Sequence, residues 1–174
     1  ERRVALRVMH ESVLLNETQL QRFRTEARAT SQLDHPGIPA VHDVREPHSY
    51  FHRVMEGEPL STWLGEARAA FEARRPLPPH LTPDALVERF VQVCDILSYA
   101  HGRGIIHRDL RPDNVLVGPH GATWVVDWGI ARVVDDSAPD AVRLDDTPED
   151  RRVLVGTAGY CSPEQANGRQ QGLD

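Results

Sequence analysis

The sequence predicts an α+β fold: a small strand-rich beginning that holds one helix, followed by a mostly helical remainder. Residues 3–9 (Arg-Val-Ala-Leu-Arg-Val-Met) alternate tightly, as a strand does. A capped apolar stripe at helical spacing follows over 16–33, and two short strand patterns follow that. Long helical periodicities then take over, with no internal repeat.

Taken in order, the first strand puts Ala5 and Arg7 on one face and Val4, Leu6 and Val8 on the other. Considered alone, Arg7 reads as a solvated charge on an edge strand. Asn16-Glu17-Thr18-Gln19 has the form of a capping box, and Leu20, Phe23, Ala27 and Leu33 supply the stripe behind it. Asp34-His35-Pro36-Gly37 stops the helix. Glu26 lies at the edge of the stripe, where a carboxylate wants a cation; within the helix, Arg22 would serve. Val41–Val44 and Tyr50–Met55 read as strands around a turn at Pro47-His48, and Glu56-Gly57-Glu58-Pro59 as a break.

A helix is expected from about Leu60 to Arg74, then a proline-rich spacer over 75–79. Thr82-Pro83-Asp84 combines an N-cap, an N1 proline and an early acid. Leu86, Phe90, Val93, Leu97 and Ala100 follow at 4-3-4-3 spacing, so this helix is expected to bury that stripe until Gly102 and Gly104 end it. Residues 106–117 form a strand-like entry, a loop crowded with Arg and Asp, and a strand-like exit. A hairpin is expected between Val115–Val117 and Thr123–Val126, ending at Asp127-Trp128-Gly129. Residues 133–152 are rich in Asp, Arg and Pro without periodicity and read as a long mobile loop.

Composition narrows the function classes. With 40% hydrophobic and 26% charged residues the chain can build a core, and its net charge of −6 argues against general nucleic-acid or membrane-surface binding. No apolar run has membrane-spanning length, and Cys94 and Cys161 form neither a disulfide nor a zinc pattern, so the expected setting is a reducing cytoplasm. All 20 basic residues are Arg; the chain has no Lys.

Val4-Ala5-Leu6-Arg7, Glu26, the His107-Arg108-Asp109-Leu110-Arg111-Pro112-Asp113-Asn114 loop, Asp127-Trp128-Gly129 thirteen residues after Asn114, and Ser162-Pro163-Glu164 occur in one order. The chain resembles the eukaryotic-like protein kinases. Its Gly-Thr-x-Gly-Tyr-x-Ser-Pro-Glu-Gln ending, residues 156–165, is most similar to the bacterial Ser/Thr (Hanks-type) kinases. The resemblance covers nearly the whole chain. It implies a two-lobed α+β fold, with a small antiparallel N-lobe carrying one helix in residues 1–57 and a mostly helical C-lobe in 58–174. It also implies that the chain is a partial kinase domain, because no Gly-rich loop precedes Val4 and several C-lobe helices would follow Asp174.

The implied function is transfer of the ATP γ-phosphate to a Ser or Thr hydroxyl of a protein substrate, with ATP and Mg²⁺ as cofactors. Asp109 would be the base, and Asn114 and Asp127 the Mg²⁺ ligands. Arg111 would accompany Asp109 in the catalytic loop. Arg7, paired with Glu26, would hold the phosphates, and Ala5 and Leu116 would pack on the two faces of adenine. Arg108 would anchor the activation segment, Thr157 would line the substrate hydroxyl site, and His107 and Trp128 would support the core. Ser137 and Thr147 are candidate phosphosites, with Glu149 or Asp150 standing in for a phosphate opposite Arg108.

Two positions depart from the family. Arg7 and Arg111 stand where lysines are expected, and a guanidinium fork is no conservative replacement for an ammonium. The alternative is therefore a kinase-like pseudoenzyme acting as a nucleotide- or protein-binding module. A small-molecule phosphotransferase is disfavoured by Arg108 and Ser162-Pro163-Glu164, which belong to protein-substrate kinases.

Overall fold

A computed structural model describes residues 4–9, 16–45, 49–135, 137, 139–144 and 156–167. Strand β1 (Val4–Val8) pairs antiparallel with β3 (Ser49–Arg53), which pairs on its other side with β2 (Val41–Arg45). The register sets Ala5 opposite His52 and Arg7 opposite Tyr50. Directly opposed residues share a face, so Ala5, Arg7, Tyr50 and His52 all lie on one side. Val4, Leu6 and Val8, on the other side, are exposed.

Helix α1 (Glu17–Gln32) begins where the capping residues predict: the Asn16 side chain accepts a hydrogen bond from the Gln19 backbone N–H. Phe23 and Ala27 bury against Tyr50 in a small cluster, while Ala29 and Leu33 enter the larger core. Thr30 is polar yet fully enclosed, and its hydroxyl is satisfied by donating to the Glu26 carbonyl at 2.7 Å.

The expected break at 56–59 contains a two-residue strand, β4 (Glu58–Pro59). It pairs with β6 (Val115–Val117), which also pairs with β7 (Thr123–Val125) as the hairpin pattern predicts. A proline-bearing edge strand of this length leaves no periodicity to read. Helix α2 spans Leu60–Glu72, and α3 spans Pro83–Gly102 with Thr82 capping the Ala85 N–H.

One expectation for α3 fails. Val93, Ile96 and Ala100 are buried, but Phe90 is 66% exposed. At about 100° per residue, Phe90 and Ile96 flank Val93 by about 60° on opposite sides. Packing against the β6–β7 side takes the Ile96 flank and leaves Phe90 on the rim.

Beyond strand β8 (Arg132–Val133), the described residues up to Leu144 are irregular, as expected, but they are packed. Strand β8 pairs with β5 (Ile105–Ile106), and Val142 is 1% exposed within the main core. The Gln32 side chain brackets Arg143, donating to its carbonyl at 2.8 Å and accepting from its N–H at 2.9 Å. Arg103 pairs with Asp140 at 2.9 Å and also donates to the Gln32 carbonyl. These partners are over 30 residues apart, so no local pattern announces them. The remainder of the expected loop, 145–152, lies outside the described residues, as does the Pro47-His48 turn.

Gly104 follows α3 at φ +72, and a Cβ there would sit 1.6 Å from the Asp135 carbonyl oxygen. Its own carbonyl accepts from the N–H groups of Val134 and Asp135. Gly104→Ala is expected to cost more than about 2 kcal/mol, combining the left-handed penalty with the clash. Gly102→Ala meets nothing within 4 Å and should be neutral or stabilising. Thermal unfolding of the two variants side by side checks the contrast.

Candidate functional site

The charged loop is framed by β5 and by a 3-10 turn at Pro112–Asn114 that leads into β6. Pairing of β6 with β7 returns the chain alongside it, and the Val126 N–H donates to the Asn114 carbonyl at 2.9 Å. Asp127, just past β7, therefore lies next to Asn114 in space. Arg108 and Asp127 are non-glycine residues at positive φ, 67 and 64. Left-handed backbone at such residues costs of order 1–3 kcal/mol each and tends to gather at working sites.

His107 and Trp128 hold this loop from below. Trp128 is fully buried, donates from Nε1 to the Val125 carbonyl at 3.1 Å, and meets the His107 ring edge-on at 4.7 Å. His107 Nε2 lies 2.9 Å from the Val126 carbonyl, and its Nδ1 accepts from the Asp109 N–H at 3.2 Å. Those partners fix a neutral ring with the proton on Nε2. Burial holds the His107 pKa below its ordinary 6.5.

The unfolded chain thus takes up a proton that the folded chain refuses. Stability should be level above about pH 6.5 and fall as the pH drops from there through the folded value. His52, also held low by burial, adds to the slope. Melting temperatures from pH 8 to 5 check this, and His107→Gln should flatten the acid limb.

Around Asp109 the polar contacts converge. Its Oδ1 accepts from the Thr157 hydroxyl at 2.7 Å, and its Oδ2 accepts from Asn114 Nδ2 at 3.3 Å. Asn114 Nδ2 also donates to the Asp109 carbonyl at 2.8 Å. Arg111 Nη1 donates to the Thr157 hydroxyl at 3.2 Å, while its Nε and Nη2 grip Asp113. Hydrogen bonds from Ser61, first, and from Arg111 hold the Asp113 carboxyl below the usual carboxylate range. Arg108 is buried, donates to the Ile130 carbonyl at 2.6 Å, and its own carbonyl accepts from Gln165 at 2.7 Å. Thr147, Glu149 and Asp150, expected opposite Arg108, lie outside the described residues.

The second constellation lies on the sheet. Arg7 Nη1 makes a close ion pair with Glu26 and donates to the Tyr50 hydroxyl at 3.0 Å. The partner of Glu26 is thus the strand arginine and not Arg22 within the helix. Burial pushes the Glu26 carboxyl up while Arg7 pulls it down. Burial works most strongly against the Arg7 charge, but Glu26, Tyr50 and Asp127 together outweigh it and keep the guanidinium protonated. Arg7, Glu26, Tyr50, His52, Asp127 and Trp128 line one recess of ≈ 50 Å³. Ala5 is half-buried on the same sheet face, and Leu116 is half-buried on β6, but neither lines that recess. A larger cleft of ≈ 550 Å³, with His35, Arg53, Gln92, Asp95 and Trp124 among its walls, contains none of the motif residues.

Sequence reasoning missed Tyr50 and Ser61, and placed Gln165 within the 156–165 motif without its contact to Arg108. Tyr50 was legible only as a strand residue; its place beside Arg7 needs the β1–β3 register.

The family model for the protein kinase domain matches residues 1–173. The chain belongs to the protein kinase domain family. This kinase domain is 35% identical over 174 residues to the serine/threonine-protein kinase Pkn1 of Myxococcus xanthus, covering 96% of the chain and 22% of that protein. It is 31% identical over 183 residues to PknD of Protochlamydia amoebophila, covering 97% of the chain and 18% of that protein. PknA of Mycobacterium tuberculosis is 35% identical over 175 residues, with 96% of the chain and 36% of that protein covered. The chain thus spans roughly a fifth to a third of these relatives. Among the described residues, no helix of the kinase domain is long and apolar enough to cross a membrane.

Proposed function

We propose that this chain is part of a Ser/Thr protein kinase that transfers the ATP γ-phosphate to a protein hydroxyl. In this reading residues 1–57 belong to the N-lobe and 58–174 to the C-lobe. The observation that carries it is the Asp109 carboxylate accepting an O–H at 2.7 Å, supplied by Thr157. A general base needs its proton donor at that separation, and a substrate hydroxyl approaching Asp109 would meet the same oxygen. Arg111, which touches Thr157 and is charged, holds that hydroxyl and offers positive charge beside the transferring phosphate.

The donor set suits Mg²⁺. Asn114 spends its amide nitrogen on Asp109, which leaves Oδ1 as a hard acceptor with no hydrogen bond among the described residues, and Asp127 adds an exposed carboxylate next to it. These two would hold the ion, which neutralises phosphate charge when bound. Arg7, held by Glu26, would hold the α- and β-phosphates, with Ala5 and Leu116 against the adenine. Arg108 would anchor the activation segment through Thr147 or the acids after it.

The test is transfer from γ-labelled Mg-ATP to a generic acceptor protein, with Arg7→Lys measured alongside. Transfer by the wild-type chain supports the enzyme. Mg-ATP binding without transfer, with transfer appearing only in Arg7→Lys, would replace this reading with the binding module.

A further inference from the structure

We infer that Tyr50 is a positioning residue that orients Arg7 for the phosphates, an inference that rests on the kinase reading above. An arginine at this position faces a difficulty that a lysine does not. A guanidinium beside a carboxylate tends to dock with two parallel N–H bonds, which would spend its fork on Glu26. In this structure only one nitrogen, Nη1, meets Glu26, and the same nitrogen donates to the Tyr50 hydroxyl at 3.0 Å. That nitrogen therefore bridges the Glu26 carboxylate and the Tyr50 hydroxyl. Arg7 Nη1 is thus fixed from two sides, by the carboxylate on α1 and by the hydroxyl on β3.

The Tyr50 hydroxyl is anchored. Tyr50 is 3% exposed, packs its ring 5.0 Å from that of Phe23, and is the cross-strand partner of Arg7. Its hydroxyl accepts from the same Nη1 that meets Glu26, which tethers the guanidinium by that one nitrogen. The guanidinium is therefore held end-on. Nε and Nη2 have no partner among the described residues, and the Arg7 side chain keeps 47% of its exposure, in the recess it lines with Asp127. A planar pair of free N–H donors matches two oxygens of a nucleotide polyphosphate. A lysine ammonium, with its donors arranged around one nitrogen, would need no such orientation.

A double-mutant cycle tests this on the full 174-residue chain. Tyr50→Phe is made in the wild-type and in the Arg7→Lys backgrounds. Affinities for Mg-ATP and for adenosine, which has no phosphate, are measured by calorimetry alongside melting temperature. Loss of one hydrogen bond to a charged group corresponds to about tenfold, so Tyr50→Phe should weaken Mg-ATP by about that factor in the Arg7 chain. Adenosine affinity should move less than about twofold, and in the Arg7→Lys chain Tyr50→Phe should change Mg-ATP binding less than about twofold. Equal losses for ATP and adenosine, or the same factor in both backgrounds, would overturn the role of Tyr50 and leave the kinase reading intact. A wild-type chain that binds neither ligand would overturn both.

Discussion

Asp109→Asn is expected to lower phosphotransfer by about 10²–10⁴-fold, the contribution of a positioned general base, while the fold survives. The replacement is near-isosteric. Asparagine at 109 keeps an oxygen that can accept from the Thr157 hydroxyl, and the backbone N–H can still donate to His107 Nδ1. The 3-10 turn that frames the loop is closed by backbone bonds, including Asn114 N–H to the Arg111 carbonyl at 2.9 Å, and these do not involve the mutated group. What disappears is the anionic oxygen able to receive a proton. Initial rates with labelled ATP, paired with thermal unfolding of the same samples, separate the two effects. A rate within about threefold of wild type would remove Asp109 from the proton transfer. A rate loss matched by collapse of the melting transition would assign it a structural role instead.

The legible parts of this molecule share one property: their information is local. The caps at Asn16 and Thr82 are read from three or four adjacent residues, and the structure uses both. The loop from His107 to Asn114 and the nearby Asp127 lie within one hairpin of each other, so their order in the chain is close to their order in space. Arg7 and Glu26 are 19 residues apart, and only the family resemblance pairs them. Where contacts are long-range and without a motif, the sequence is silent. Gln32 and Arg143 meet across 111 residues, Arg103 and Gln32 across 71, and Ser61 and Asp113 across 52. Phe90 shows the converse error, because helical periodicity gives an apolar stripe but not how far the helix is turned against its neighbours. The burial of Ala141 and Val142 in a segment rich in Asp and Arg follows the same logic: two small apolar residues suffice when Arg103 and Gln32 supply partners for the backbone around them.

Trp128→Ala is expected to be the most damaging single change to stability, at about 3–5 kcal/mol. Trp128 is the largest of the fully enclosed side chains and lies in the main core with Val93, Ile96 and Val125. Its loss leaves a cavity and also removes the edge-on partner of His107. Natural domains hold about 5–15 kcal/mol in total, so the variant would spend a large fraction of its margin. For a chain of this size, the melting temperature should fall by roughly 6–20 °C. Trp128→Phe retains much of the apolar volume and gives up chiefly the N–H donated to Val125, so its cost should be clearly smaller. Denaturant midpoints of the two variants rank them, and a loss below about 1 kcal/mol for the alanine form would contradict the packing role. The consequence reaches the site because His107 Nδ1 receives the Asp109 N–H. A ring released by the cavity no longer fixes the backbone beneath the carboxylate. Among molecules that remain folded, Trp128→Ala should therefore lower the transfer rate more than it weakens adenosine binding, whereas Trp128→Phe should lower neither by much.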